Sequence, residues 1–282
     1  MIRRWDKSKP PTGPFALNRD CPQAQGLVAW YPMGMASGGN YFPDLAGKHH
    51  LSRTGSVPIT LGKSGEPMAS FNGSTSNYLS GTTVPLTTFP LTLAARVVFA
   101  ASATSTVVSL CKSSSANDYF TILPISGPGV VRSQWGDIPS PSDSIASTAS
   151  NYVLGVDSDL IAAVSSATNG SVYLNGGSKG TYSGPASNSP ADINTIGIGI
   201  LADNGGPGVR LPFTGLIGEV SIYNRAFDDD AARLHADKGR RFELWYPLRS
   251  RKWIVGAAAP TITALSAISI TATSAQPQIT YA

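Results

Sequence analysis

The sequence predicts an all-β fold of many short strands, closed late in the chain by one short capped helix, and three observations carry that prediction. The chain holds 29 Gly and 21 Pro among 282 residues, about 18% against roughly 12% in average usage, so turns are frequent and the strands between them short. Apolar residues alternate along short runs, as in Leu91, Leu93, Ala95 and Val97, the period of a half-buried strand. Finally, the run FTGLIGEVSIYNRAFDDDAARLHAD, from Phe213 to Asp237, joins an apolar strand to a helix start. Asp228 to Asp230 stand where carboxylates cap an N-terminus. A chain of this length can bury one large core, because all-β domains of about 200 to 250 residues often remain single.

Taken in order, GLVAWYPM (Gly26 to Met33) reads as the first core strand. Leu27, Ala29 and Tyr31 lie on one face, and Val28 and Trp30 on the other. DLAGKHHL (Asp44 to Leu51) is a turn, and Gly62 to Ser80 a pair of strands. Phe89 to Phe99 is a strand in which Arg96 interrupts an apolar series. GSVYLNG (Gly170 to Gly176) is a hairpin whose Asn175 and Gly176 supply the positive φ of a tight turn. IGIGI (Ile196 to Ile200) precedes the closing strand, in which Ile217, Val220, Ile222 and Tyr223 are apolar. Ala231, Leu234 and His235 form one face of the helix that follows.

These segments, in this order, resemble the laminin G-like, concanavalin A-like jelly rolls. The resemblance rests on GLVAWYPM, on the turn from Asp44, and on Gly62, Lys63, Gly65, Ala69, Phe71, Gly73, Tyr78 and Leu79. It continues through VYLNG and IYNRAF, spanning about Gly26 to Asp237. One position departs from it: the tryptophan usual before the hairpin is represented by Leu160, Ile161 and Val164. The resemblance implies an antiparallel β-sandwich jelly roll over residues 21–238 with one short C-terminal helix. It leaves an N-terminal basic arm (1–20), a basic aromatic connector (239–259) and a C-terminal β arm (260–282). The segment RFELWYPLRSRKWIV, from Arg241, and the opening MIRRW and NRDCPQAQGLVAW are similar to the ends of structural proteins of tailed-bacteriophage particles. That second resemblance implies a virion surface protein, either head decoration or a short fibre or tail-associated protein. Its implied partners are capsid, portal, adaptor or fibre subunits and further copies of itself.

Charge separates the ends from the body. The net charge of +4 combines +8 over residues 1–9 and 238–252 with −4 over residues 10–237. Arg3, Arg4, Trp5, Arg241, Trp245, Arg249, Arg251 and Trp253 are therefore the expected docking interface, with nucleic acid the less favoured partner for so mixed a surface. The N-terminus lacks the apolar stretch of a signal peptide, which fits assembly in a host cytoplasm. Pro260 and many Ser and Thr interrupt the weakly apolar tail, so no membrane insertion is expected.

The chemistry expected of the body is meagre. The chain has three glutamates, Glu66, Glu219 and Glu243, and none is followed by a second acid on its face as a glycoside hydrolase requires. His49, His50 and His235 lack a third ligand at zinc spacing, and Cys21 and Cys111 read as free thiols. No enzyme activity, cofactor or metal is expected. If calcium binds, Asp203 and Asn204, or Asn117 and Asp118, are the available loop oxygens, against a reading as turn residues. A lectin-like reading, for host glycans, places Trp135, Asp203 and Asn204 at the contact. Trp135 alternatively anchors a buried loop.

Overall fold

Apolar runs too short for helices, separated by glycine turns, satisfy their backbone groups by pairing side by side. A computed structural model describes residues 6–11, 14–35, 40–114, 119–127, 129–135, 144–183, 193–202 and 210–248. The strands are β1 (Phe15–Leu17), β2 (Leu27–Pro32), β3 (Tyr41–Phe42), β4 (Leu51–Thr54), β5 (Ile59–Leu61), β6 (Pro67–Asn72), β7 (Tyr78–Gly81), β8 (Leu91–Phe99) and β9 (Val108–Cys111). There follow β10 (Tyr119–Pro124), β11 (Val131–Trp135), β12 (Ser144–Ser147), β13 (Asp157–Ser166), β14 (Asn169–Leu174), β15 (Ser178–Ser183), β16 (Thr195–Ile198), β17 (Thr214–Tyr223), helix α1 (Asp229–Ala236) and β18 (Trp245–Pro247).

Two antiparallel sheets form the body. The first runs β15-β14-β13-β8-β17-β6-β5, with β2 also paired to β17; the second runs β12-β11-β10-β9-β16-β7-β4-β3. The early strand β8 lies between the late strands β13 and β17, so the first sheet closes only when distant parts of the chain meet. Alternation supplies the core between the sheets. Leu93, Ala95 and Val97 of β8 and Leu160, Ala162 and Val164 of β13 meet Leu110, Phe120 and Ile196 of the second sheet. Each large apolar side chain so buried contributes about 1.5 to 3 kcal/mol.

Local signals in the sequence have the expected structural outcome. Asn175 and Gly176 turn the β14–β15 hairpin at φ 55° and 68°. Asp228 caps α1, its Oδ1 accepting from the Ala231 N–H at 2.8 Å. The buried stripe of α1 is Ala232 and His235, whereas Ala231 is only partly buried.

Of the two readings of Trp135, presentation of its ring to a sugar is corrected and the buried anchor holds. The residue ends β11 with 1% exposure. Its ring stacks on Phe120 at 16°, meets Tyr182 edge-on, and sits over Gly170, where an added Cβ would come within 2.4 Å of it. Its indole N–H donates to the Ala167 carbonyl at 3.2 Å, so the side chain is an anchor of the sandwich.

The connector drawn from residue 239 does not begin where the body ends, since residues up to Leu248 belong to the same contact unit as the sandwich. Residues 238–247 instead form a strap across the outer face of the first sheet. β18 ends it, pairing with β1 in a small two-stranded sheet. Residues 249–282, including the expected β arm, lie outside the described residues.

Candidate functional site

The outer face of the first sheet is ordered in cross-strand rows, because antiparallel partners share a face. One row reads Thr181, Ser171, Ala163, Thr92, Tyr223. The next reads Lys179, Tyr173, Ile161, Ala94, Ser221. A third reads Asp159, Arg96, Glu219. The first two rows are bare at the β14–β15 end, and the strap covers the third.

Beneath the strap lies an ionic seam. Arg96, the residue that broke the apolar pattern of β8, lies 3.5 Å from Asp159 and 3.9 Å from Glu219. Its Nη2 donates to the Arg241 carbonyl at 3.0 Å. Arg241 returns its own side chain to the sheet edge, donating to Glu66 Oε1 at 2.6 Å, Asp157 Oδ2 at 3.0 Å and the Ser64 hydroxyl. Both guanidinium groups lie against the Phe242 ring. Trp245 donates its indole N–H to Glu219 Oε2 at 3.0 Å and packs on Phe15 and Trp30. Glu243 accepts from Arg240 and from Lys7. Charges removed from water persist only when paired; these contacts pair each of them, while Arg96 Nε, Asp159 Oδ1 and Glu66 Oε2 are left without a hydrogen-bond partner.

Proton affinities follow. Burial opposes the charge on Arg241, yet its bond to Asp157 and the nearby Glu66 hold its pKa above the ordinary value. Burial alone would raise Glu243, but hydrogen bonds from Arg240 and Lys7 bring it below the usual carboxylate range. His235, enclosed between α1 and the sheet beside Tyr223 and Phe227, is pushed down by burial, against the pull of Asp159 and Glu219.

The uncovered end of the same face is a groove of about 700 Å3. Its floor is the outward side of β13–β15 and its wall the start of α1. Lys179 donates to Asp229 Oδ1 at 2.6 Å, and the Tyr173 hydroxyl donates to the same oxygen at 3.1 Å. These two bonds hold the Asp229 carboxyl below its usual range. Lys179 also lies 5.5 Å from the Tyr173 ring centre. Further out, Arg233 pairs with Asp230 at 3.2 Å. Ser165, Ser171, Thr181 and Ser183 bring hydroxyls to the floor, and Ala163 and Phe227 its small apolar part.

Of the expected docking residues, Arg241 and Trp245 are corrected: they are 8% and 3% exposed. Their polar atoms face the body of their own chain because the strap folds inward. Arg3, Arg4, Trp5, Arg249, Arg251 and Trp253 lie outside the described residues, as do Asp203, Asn204, Asn117 and Asp118. Among the described residues no group of three or more His, Cys, Asp or Glu is placed to hold a metal ion. Sequence reasoning missed the groove. Its only trace there is the polar alternation Ser171–Tyr173 and Lys179–Thr181 on either side of the Asn-Gly turn.

A family model described as the concanavalin A-like lectin/glucanases superfamily matches residues 49–233, about two thirds of the chain. The chain belongs to this superfamily. Among solved structures, this concanavalin A-like body is similar to domain 4 of AbnA, an extracellular GH43 arabinanase from Geobacillus stearothermophilus, in complex with arabinotriose. The identity is 20%, the TM-score 0.57, and the match covers 75% of this chain and 98% of that one. It is similar to the CBM40 of the Ruminococcus gnavus IT-sialidase bound to alpha2,3 sialyllactose, at 14% identity and TM-score 0.52, covering 65% and 100%. It also matches Trypanosoma rangeli sialidase at 17% identity and TM-score 0.54, covering 75% of this chain but only 32% of that one. At these identities the likeness shows the fold. No curated protein sequence matches the chain.

Proposed function

We propose that this chain is a non-enzymatic surface protein of a tailed-bacteriophage particle, an inert β-sandwich with a lectin-like body, held on the particle by its terminal segments. The observation that carries the non-enzymatic part is the placement of the glutamates. Glu66, Glu219 and Glu243 are 2%, 4% and 2% exposed, each engaged by arginine, lysine or indole donors under the strap. A glycosidase of the usual two-carboxylate kind needs both acids facing one sugar bond, with the proton donor's pKa raised. The groove's Asp229 is shifted the opposite way.

The phage setting draws its support from the end segments, MIRRW and the run from Arg241. With Arg241 and Trp245 turned inward, attachment falls to Arg3, Arg4 and Trp5 and to the stretch holding Arg249, Arg251 and Trp253. Capsid, portal, adaptor or fibre subunits are the partners of that attachment, in a homo-oligomer. The decisive experiment is mass spectrometry of purified particles with copy number, comparing the full chain with one truncated after Leu248. Full-length protein is expected on particles, in hundreds of copies for head decoration or a few for a fibre. The truncated protein is expected to fold with an unchanged melting temperature and to be left off. Absence of the full chain from particles, or normal incorporation of the truncated one, overturns the reading.

A second reading is compatible with the first: the body binds host glycans. Its support is the arabinotriose and sialyllactose held by two similar domains.

A further inference from the structure

We infer that the groove between the β14–β15 hairpin and the start of α1 is a saccharide site selective for neutral glycans. This rests on the glycan-binding reading and adds to it a location and a class of sugar.

Three features of the groove point to a saccharide. Its volume of about 700 Å3 lies within the range of ordinary ligand sites, about 300 to 1,000 Å3, and exceeds what an ion needs. Its polar groups are mixed. Hydroxyls of Ser171 and Thr181 stand in one cross-strand row, and the ammonium of Lys179 beside the carboxylate of Asp229 in the next. A sugar hydroxyl donates and accepts at once. The neighbouring hydroxyls of a pyranose therefore match a lysine–carboxylate pair, one giving to Asp229 while the other receives from Lys179. Lastly, Ala163 and the edge of Phe227 form a small apolar patch beside these polar groups, against which the C–H face of a sugar ring can rest.

Charge decides the class. Asp228, Asp229 and Asp230 face the groove with Lys179 and Arg233, leaving one net negative charge. Both cations are already paired, Lys179 with Asp229 and Arg233 with Asp230. A carboxylated sugar would have to displace an aspartate from its cation while approaching the others. That repulsion opposes binding. A neutral sugar inserts its hydroxyls without breaking the charge balance. A free cation finds little to bind, because Asp228 caps the helix and Asp229 accepts from two donors.

The test presents the full chain, alongside Thr181→Arg and Asp229→Asn variants, to an array of neutral and sialylated oligosaccharides. The strongest neutral hit is then titrated in solution. Thr181 is exposed at the groove floor, so Thr181→Arg fills the groove without disturbing the core. Asp229→Asn keeps the shape and removes the acceptor charge. Neutral oligosaccharides are expected to bind, Thr181→Arg to abolish binding, and Asp229→Asn to weaken it at least tenfold, with melting curves unchanged. Preference for sialylated glycans, or neutral binding that survives Thr181→Arg, overturns the groove assignment while leaving the glycan reading standing. Binding of no glycan at all overturns both.

Discussion

The two halves of the first sheet's outer face carry similar side chains to opposite ends. Under the strap, Arg96, Asp159, Glu219, Arg241, Glu66 and Asp157 are largely withdrawn from water and paired with one another. At the hairpin end, Lys179 and Asp229 make an equally short pair, but their side chains are 37% and 50% exposed. Burial is what separates them. A sealed charge pair positions a segment of the chain, and an open one can exchange partners with a solute. The same sheet face thus supplies both a fastening and a candidate binding surface.

That contrast is broken most severely by Arg241→Ala. It leaves the buried Glu66 and the partly buried Asp157 without their cation, and the expected loss is about 3 to 5 kcal/mol, read from urea unfolding. Trp135→Ala is expected to cost a similar amount, about 3 to 5 kcal/mol, by opening a cavity between Phe120 and Tyr182. The remaining folded protein should bind glycans normally, since the ring never faced them.

Acid sharpens the contrast at smaller amplitude. His235 has its folded-state pKa depressed below 6.5, so as pH falls through 6.5 the unfolded chain takes up the proton first. Its contribution is fully present above that pH and is lost below it, by at most about 1.4 kcal/mol per pH unit. Glu243, also depressed, adds its loss only below 4.5. His235→Phe, which keeps an aromatic ring between Tyr223 and Phe227, is expected to flatten unfolding midpoints between pH 6.5 and 5. The smallest effect belongs to the open half, where Lys179→Met should leave the unfolding midpoint in place, exposed pairs contributing little.

The sequence made legible what is local. The Asn175–Gly176 turn, the Asp228 cap and the alternation of β8 each depend on neighbours a few residues apart, and each has the expected geometry. The inward turn of the strap depends instead on carboxylates far away in the chain. Glu66 precedes Arg241 by 175 positions and Asp157 by 84. A run of basic residues does not say what faces it, so Arg241 and Trp245 read as a surface until their partners are known. Trp135 admits two readings in the sequence for a related reason: its burial, the reading that holds, requires Gly170 beneath it, which no spacing in the sequence announces. The groove is assembled from ordinary serines, threonines and two ion pairs, drawn from a hairpin and a helix some fifty residues apart.

The most direct measurement is a titration of isotope-labelled full-length protein with a neutral oligosaccharide, followed by amide chemical shifts. The account predicts shifts at Ser171, Tyr173, Lys179, Thr181 and Asp229, with Glu219, Phe242 and Trp245 unmoved. Shifts centred on the strap, with the groove residues unmoved, would contradict it.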